Sequence, residues 1–423
     1  MPRPLRVLIT NNTLEARAGS ELYVRDLALA LLKAGHKPIV YSTHLGEVAA
    51  ELRRYTVPVV DNLEAVGQPP DVVHGHHHLD TLTALLHFPG VPAVYFCHGW
   101  IPWEEMPLKF PRILRYVAVD EVCLDRLVLE HGIPESQIRL ILNFVDLERF
   151  KPRQPLPVRP LRALVFSNAA SQVTQLPAIQ EACRRAHLSS DVMGIGSGNA
   201  CTEPEAILGQ YDIVFAKARA AMEAMAVGCA VILCDAVGAG PMVTSHAFDR
   251  LRQCNFGIRT LDQPLTPEVL LAQIARYNHE DAVIVSEKIR AEAGIESTLQ
   301  QVTGIYYQII EEYAGMAKPS VAAESQAAAR YFRWLSVFVK DRCRSEAHLH
   351  SQLNVCHREI AQLRESEAHL HSQLNVCHRE IAQLREGSQQ QLEHYTREIE
   401  LLKQSSWLWL LVKLKRIITQ RNK

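Results

Sequence analysis

The chain has 423 residues, 48% of them hydrophobic and 22% charged, with a formal net charge of −1. This length predicts two or three domains with packed cores, and the balanced charge gives no reason to expect a nucleic-acid partner. The ten cysteines are scattered and form no Cys-x-x-Cys pair, so we expect a reducing environment and no zinc site. We recognise no signal peptide and no apolar run near the ~18 residues of a membrane span, which favours a cytoplasmic protein.

The first part of the chain, residues 1–155, alternates short strands with helices. This order predicts a parallel sheet with helices on both faces, as in a doubly wound Rossmann-like domain. Gly19 lies in the first strand-to-helix loop, where it could contact phosphate or sugar, or merely permit a turn. Four prolines in residues 151–160 indicate a linker at the end of this half.

Histidines gather at two predicted strand ends in this half. His74, His76, His77 and His78 could suggest a metal site, but they lack the i, i+4 spacing of a helical zinc pair. We instead expect them to be polar side chains that a strand end carries into a cleft. His98 directly follows the apolar run 93–97, a position at which a polar group can face a ligand.

Residues 156–315 predict a second α/β domain, with strands at 162–166, 191–195, 212–215, 229–234 and 256–259. Its most informative stretch is an alanine-rich helix, stopped by Gly228 and followed by a strand without alternation, as expected for burial on both faces. Gly240 is predicted to lie at the start of a further helix, whose N–H groups could cradle a diphosphate.

The C-terminal part is predicted to be helical after a linker at 316–329. Residues 330–404 read as a coiled coil that contains one 21-residue string twice, at 345–365 and 366–386. Its apolar residues step by 4 and 3, which forms an a/d seam, so we expect homo-oligomerisation through 345–386 rather than a single solvated helix.

The tail, residues 405–423, combines tryptophans and leucines with lysines and arginines. It is too short to span a bilayer. The composition is typical of an interfacial helix on a membrane surface, although a helix docked on the protein itself would look similar.

Several stretches of the two α/β halves resemble the GT-B glycosyltransferases, in particular the retaining glycosyltransferase family 4. The resemblance covers roughly residues 1–315 and implies two Rossmann-like domains that face a cleft, followed here by the coiled coil. The stretches that carry it are Gly19–Val24, Leu31–His36, Pro70–His76, Cys97–Gly99, Gly132–Arg139, Asn143–Phe150 and Met222–Val231.

The resemblance also implies roles for particular residues. Glu223 matches the carboxylate that binds the nucleotide ribose, and His98 matches the histidine that contacts the donor sugar near the reacting centre. Gly19 matches the glycine that approaches the diphosphate or the acceptor. The family uses no metal and no cofactor other than its nucleotide-sugar substrate, so fixed positive groups and helix N-termini must stabilise the leaving diphosphate.

The sequence departs from the family pattern in its donor motif. The family has two glutamates eight residues apart, but Phe215 stands eight residues before Glu223. The usual Arg and Lys after the first strand of the second half are also missing, and Asn168 lies in that segment as a donor-binding candidate. Lys217 and Arg219 could supply the missing charge, or Arg219 and Glu223 could form a surface ion pair of a few tenths of a kcal/mol.

These features predict a retaining glycosyltransferase that moves a sugar from a nucleoside-diphosphate sugar to a cell-surface polysaccharide or lipid-linked acceptor, peripherally at the cytoplasmic membrane face. Trp100 and Trp103, with His76, are candidates for the acceptor side, although the tryptophans could equally belong to the core. Two alternatives remain open: a catalytically weak sugar-nucleotide-binding scaffold that works through its coiled coil, and a GT-B sugar-nucleotide epimerase.

Overall fold

The computed structural model describes residues 3–421, with side chains up to Arg416. The chain divides into two compact units, the first ending at Arg330 and the second beginning at Tyr331. The first unit contains two α/β halves, each built on its own sheet. The predicted pair of doubly wound halves is therefore confirmed.

The first half is a seven-stranded sheet in the order β3-β2-β1-β4-β5-β6-β7, with parallel pairing between neighbours. Apolar, β-branched runs form its central strands, which are buried because helices cover both faces. The strands are β1 Arg6–Thr10, β2 Lys37–Tyr41, β3 Val59–Val60, β4 Val72–His76, β5 Ala93–Cys97, β6 Ile113–Ala118 and β7 Ile138–Leu140. The helices are α1 Gly19–Lys33, α2 Glu47–Arg54, α3 His78–His87 and α4 Glu121–Asp125, which a π-helical turn, Arg126–Glu130, extends.

The second half has a five-stranded sheet in the order β12-β11-β10-β8-β9. Its strands are β8 Arg162–Phe166, β9 Ser189–Met193, β10 Ile213–Ala216, β11 Ala230–Asp235 and β12 Gly238–Met242. The helices are α5 Leu176–Arg185, α6 Pro204–Ile207, α7 Ala218–Val227, α8 Phe248–Gln253, α9 Pro267–Ile274 and α10 His279–Glu292, and α11 Ile295–Gly315 follows them in sequence. Gly228 ends α7 in the left-handed conformation (φ 102°), as predicted.

Two local predictions in this half are wrong. The segment around Gly240 forms strand β12, antiparallel to β11, instead of opening a helix. A Cβ at Gly240 would lie 2.4 Å from the carbonyl oxygen of Thr260, so close backbone packing explains this glycine. The strand predicted at 256–259 is absent from the described chain, where Ile258–Thr260 forms a 3₁₀ turn. Asn255 and Phe256 both have positive φ, which is incompatible with an extended strand.

Helix α11 follows the second half in sequence but packs against the first. It contacts α1, β5 and β6, and the hydroxyl of Tyr306 lies 2.5 Å from Nδ1 of His74 on β4. Arg115 on β6 also bonds Glu312 at 2.6 Å. The chain thus crosses back over the interface after completing the second sheet, which ties the two halves together.

A long helix, α12, spans Val321–Arg421, and its part from Tyr331 onward forms the second unit. It starts inside the stretch 316–329 that we interpreted as a linker, because alanines there favour helix. The helix α12 continues through Gly387. Pairing of this helix in a coiled coil stays a prediction. Residues 422–423 of the tail lie outside the described chain. Among the described residues, no helix is both long and apolar enough to cross a membrane.

Candidate active site

A cavity of about 320 Å³ lies between the two α/β halves. Its walls come from the loops that follow β1, β8, β9 and β10, so it opens at the carboxyl ends of strands from both sheets, where ligands bind in such folds. The charged residues that line it are Arg17, Glu47, Arg149, Lys217, Arg219 and Glu223. Gly19 and Asn168 also line it. The predicted donor-site residues therefore share one cavity, with the exception of Gly240.

Helix α7 presents its N-terminus to this cavity. Lys217 is its N-cap residue, in extended conformation and without a side-chain cap, and Lys217 through Ala220 line the cavity. Ala218 has a φ of 49°, unusual for a residue with a Cβ. Its N–H bonds the carbonyl oxygen of Phe256 at 2.8 Å, which holds this turn. The N-terminal N–H groups of the helix thus lie where an anion could accept hydrogen bonds.

Arg219 connects the two halves through buried carboxylates. Its Nε donates to Oε1 of Glu223 at 2.8 Å, and its guanidinium also pairs with Asp26 on α1. The predicted ion pair between Arg219 and Glu223 therefore forms, but it is buried instead of lying on the surface, and it extends across the interface. Burial raises the pKa of Glu223, against the effect of Arg219. Burial would also raise the pKa of Asp26, but Arg219 and Arg25 hold this pKa below its ordinary value.

Lys217 is held differently from Arg219. Its ammonium lies 2.5 Å from Oδ2 of Asp235, at the carboxyl end of β11. The other carboxylate oxygen of Asp235 accepts hydrogen bonds from Ser167 and Gln175, both at 3.3 Å. The Lys217 side chain is 36% exposed, against 13% for Arg219. Lys217 is therefore a more accessible cation of the cavity than Arg219.

Gly19 and Asn168 approach the cavity from opposite halves. Gly19 is the first residue of α1, and a Cβ there would meet no protein atom within 4 Å. Asn168 follows β8; its Nδ2 donates to the carbonyl oxygen of Arg17 at 3.2 Å, and its Oδ1 accepts from the Ile195 N–H at 3.2 Å. Asn168 thus joins the loops of both halves at the cavity wall.

His98 does not line this cavity; it packs against aromatic side chains of the first half. Its ring stacks on His76, with centroids 4.6 Å apart, and meets the edge of Tyr23 at 4.6 Å. Its backbone N–H donates to Glu105 at 3.1 Å, while its Nε2 is buried without a hydrogen-bond partner. Burial lowers the pKa of His98 to about 4, although Glu105 opposes this effect. The imidazole is therefore neutral near pH 7.

His77 and His78 are buried, so the prediction that these histidines point into a cleft is wrong, and it is wrong also for His74 and His76. Both are fully buried, and their rings stack at 4.6 Å, which places His76 between His74 and His98. Both nitrogens of His76 lack hydrogen-bond partners. Period-2 alternation explains this arrangement, because His74 and His76 share one face of β4. The described residues contain no group of three His, Cys, Asp or Glu side chains suited to hold a metal ion.

Trp100 and Trp103 lie on the loop after His98. Each is 38% exposed, so neither is a core residue. Trp103 packs edge-on against His78 at 4.9 Å. The two tryptophan side chains are therefore partly exposed, whereas His76 is fully buried.

Arg17 and Arg149 line the cavity but were not predicted. Arg17 bonds Glu51 at 2.6 Å, and Arg149 bonds Glu205 at 2.6 Å. Arg149 lies in Asn143–Phe150, one of the stretches that resemble the family, so the sequence could have indicated it as a site residue. Arg17 gave no comparable signal, since it lies in an irregular polar loop.

Phe215 lies on the opposite side of the second sheet from α7. Its side chain is buried with those of Leu176, Ile179 and Leu270. Its neighbours Val214 and Ala216 share the core cluster that includes α7 residues. A carboxylate at position 215 would therefore face away from the cavity, because alternate residues of β10 point to opposite faces.

Solved glycosyltransferases share this architecture. A glycosyltransferase from Rickettsia africae has a TM-score of 0.55 and 15% identity, covering 73% of this chain and 99% of its own. The Anabaena protein HepE, solved in complex with UDP and glucose, has a TM-score of 0.53 and 15% identity, covering 71% of this chain and 99% of its own. These similarities establish the fold as GT-B.

A family model matches part of the chain in sequence. Residues 17–149 match the family model described as Glycosyltransferase Family 4. This range includes Gly19, His98 and both predicted acceptor-side tryptophans. No curated protein sequence matches the chain significantly. The resemblance to GT-B glycosyltransferases that the sequence predicts is thus confirmed.

Proposed function

We propose that this protein is a retaining glycosyltransferase that transfers a sugar from a nucleoside-diphosphate sugar to a polysaccharide or lipid-linked acceptor. The observation that carries the proposal is the cavity between the halves, where Gly19, Asn168, Lys217 and Glu223 meet. The HepE structure contains UDP and glucose, which supports a nucleotide-sugar ligand for a cavity in the same fold. The retaining outcome and the acceptor class follow only from the family resemblance.

The diphosphate would bind at Lys217 and the N-terminus of α7. Charge develops on the leaving diphosphate as its bond to the sugar breaks, so fixed N–H donors and a cation close to it lower the barrier. Lys217 suits this role because it is partly exposed and lines the cavity. The free N–H groups of α7 and the positive end of its dipole would add to the effect.

Glu223 would accept hydrogen bonds from the ribose hydroxyls. Arg219 holds one of its oxygens, Oε1, and is itself fixed by Asp26. We therefore assign Arg219 to orienting Glu223 rather than to binding phosphate. His98 and the neighbouring Trp100 would lie toward the sugar and the acceptor, with His98 acting as a neutral hydrogen-bonding group.

A panel of nucleotide sugars tests the donor site by thermal shift, with wild type, Glu223→Gln and Lys217→Gln in parallel. We expect Glu223→Gln to weaken binding of both the nucleoside diphosphate and the nucleoside. Lys217→Gln should weaken the diphosphate form by about tenfold or more and leave the nucleoside unchanged. Equal stabilisation of all three proteins by the best ligand would contradict the assigned roles.

Phe215 favours a second candidate, a sugar-nucleotide-binding scaffold with little catalytic activity. The family places a donor-binding glutamate eight residues before the ribose ligand, and here that position is a core phenylalanine. Release of free sugar or transfer by the purified protein, measured with the donor that binds best, separates the candidates. Tight binding without turnover, with a range of glycan and lipid-linked acceptors, would favour the scaffold.

We also propose that the tail contacts a membrane surface. Trp407 and Trp409 are 69% and 62% exposed, and Lys413 lies 4.4 Å from the ring of Trp409. Aromatic rings beside cations suit the headgroup region of an anionic bilayer. Sedimentation with anionic vesicles should be lost when the chain ends at Gln404, while vesicles of neutral lipid serve as the control. Equal sedimentation of both chains would contradict this proposal.

A further inference from the structure

The helix of the second unit carries an unpartnered apolar row. Leu349, Leu353, Ile360 and Leu363 are 61%, 49%, 46% and 69% exposed in the single chain. The second copy of the repeat continues the row with Leu370 and equivalent positions. Large apolar side chains in a continuous row on one helix are stabilised when a second helix covers them.

Heptad positions follow from the spacing of this row. Positions a are Glu346, Leu353, Ile360, Glu367, Leu374 and Ile381, and positions d are Leu349, Cys356, Leu363, Leu370, Cys377 and Leu384. Isoleucine at a with leucine at d, as in Ile360 with Leu363 and Ile381 with Leu384, favours two-stranded coiled coils. We propose that residues 345–386 of two copies of this chain pair as a parallel, in-register dimer, a property independent of the proposed enzymatic activity.

The charges beside the seam set the orientation. Positions e are basic or histidine throughout, and positions g are acidic or neutral; they are His350, His357, Arg364, His371, His378 and Arg385 at e, and Gln352, Glu359, Ser366, Gln373 and Glu380 at g. A parallel pair brings each g position to the following e position of the other helix. Glu359 of one copy then meets Arg364 of the other, and Glu380 meets Arg385. An antiparallel pair would instead bring e to e and g to g, which juxtaposes like charges.

The duplication sets the register. Since the two repeats are identical, a shift of 21 residues would preserve the seam pattern. Such a shift leaves one repeat of each helix without its partner, however, and so buries fewer apolar layers. In register, both repeats are covered. Glu346 and Glu367, the two glutamates at a positions, then each meet their own copy, a polar contact that lowers the stability of the pair.

Cysteine cross-linking tests orientation and register directly. Cys356 and Cys377 occupy d positions and are exposed in the single chain. The experiment uses full-length chain with Cys201 and Cys343 replaced by serine, and then either Cys356→Ser or Cys377→Ser. In a parallel, in-register dimer, each remaining seam cysteine faces its own copy, so both variants should oxidise to covalent dimers.

The mass of the uncross-linked wild-type chain is measured by sedimentation equilibrium. A dimer whose single-cysteine variants both cross-link supports the proposal. A monomer or trimer at micromolar concentration would overturn it. So would a dimer in which neither variant cross-links, because an antiparallel or shifted pair separates identical cysteines.

Charge reversal tests the g–e contacts. Glu359→Lys with Glu380→Lys should weaken dimerisation by at least roughly tenfold, since each attractive contact becomes repulsive. Adding Arg364→Glu and Arg385→Glu to the same chain should restore it. The control reverses Arg358 and Arg379, which occupy the outer f positions, and should have no effect. Equal weakening by control and test variants, or no weakening by either, would refute the assigned contacts.

Discussion

The buried bridge of Asp26, Arg219 and Glu223 makes a specific prediction about how the donor site is held. Asp26→Asn removes the charge but keeps the shape of the side chain. Asp26 is 4% exposed and contacts both Arg25 and Arg219. The substitution therefore leaves two buried guanidinium groups with fewer partners.

The expected cost can be worked out from these contacts. Removing one partner of a buried ion pair costs about 3–5 kcal/mol. Here Arg25 keeps Glu51 at 3.4 Å and Arg219 keeps Glu223 at 2.8 Å, so we expect the lower end, about 3 kcal/mol. The first unit should melt several degrees lower. Asp249→Asn is the matched control, because it removes an exposed ion pair to Lys288, and it should leave the melting temperature unchanged.

Ligand binding distinguishes the two roles considered for Arg219. If Arg219 orients Glu223, Asp26→Asn weakens donor binding along with stability, since the arginine loses its fixed position. If Arg219 is a phosphate ligand restrained by Asp26, the same change frees it, and donor affinity stays equal or rises. Calorimetric titration at a temperature where both proteins are folded measures the difference. Unchanged or tighter binding in Asp26→Asn would refute the orienting role.

Two glycines and one histidine allow further predictions. Gly19→Ala should fold with unchanged stability, because the added Cβ meets no protein atom within 4 Å. The same variant should bind the donor tenfold or more weakly in a titration. Unchanged affinity would show that no ligand approaches Gly19. Gly240→Ala should lower the melting temperature strongly, since its Cβ would collide with the Thr260 carbonyl, while the folded fraction binds donor normally. His76→Phe should retain stability at neutral pH. Burial keeps the pKa of His76 well below its ordinary value, so protonation favours the unfolded chain, and stability falls as pH drops below about 6.5. The variant should lose less stability than wild type in denaturation measured from pH 7 to pH 5, and an identical slope would contradict this account.

The α/β architecture could be predicted because its signals are local. Strands with continuous apolar runs alternate with helices, and Gly228 marks the end of α7 at the predicted residue. Gly19 follows a strand of the first sheet and Lys217 a strand of the second, and they share a cavity because the carboxyl ends of strands from both sheets face it. Their roles in binding stay predictions.

Other features depend on contacts between residues far apart in sequence. Gly240 resembles a phosphate-binding glycine in local sequence, but its backbone packs against Thr260, which no local pattern indicates. His76 is polar and lies at a strand end, yet it is buried between two other imidazoles. The pairing of Arg219 with Asp26 joins residues 193 positions apart, so spacing within the donor helix revealed only its contact with Glu223.

The charges around the cavity explain how a chain without the family's usual cations after β8 could still hold a diphosphate. Arg17, Arg149 and Arg219 already have buried or half-buried carboxylate partners, and their side chains are 13%, 20% and 13% exposed. Releasing any of them would leave a carboxylate without its partner in a poorly solvated site, which is costly. Lys217 also has a carboxylate partner, but Asp235 keeps hydrogen bonds from Ser167 and Gln175 when the lysine turns toward a ligand. When Lys217 exchanges one anion for another at the N-terminus of α7, the buried Asp235 loses its ion pair but keeps these two hydrogen bonds as compensation. The electrostatics of the site therefore favour Lys217 over every arginine of the cavity as the diphosphate ligand.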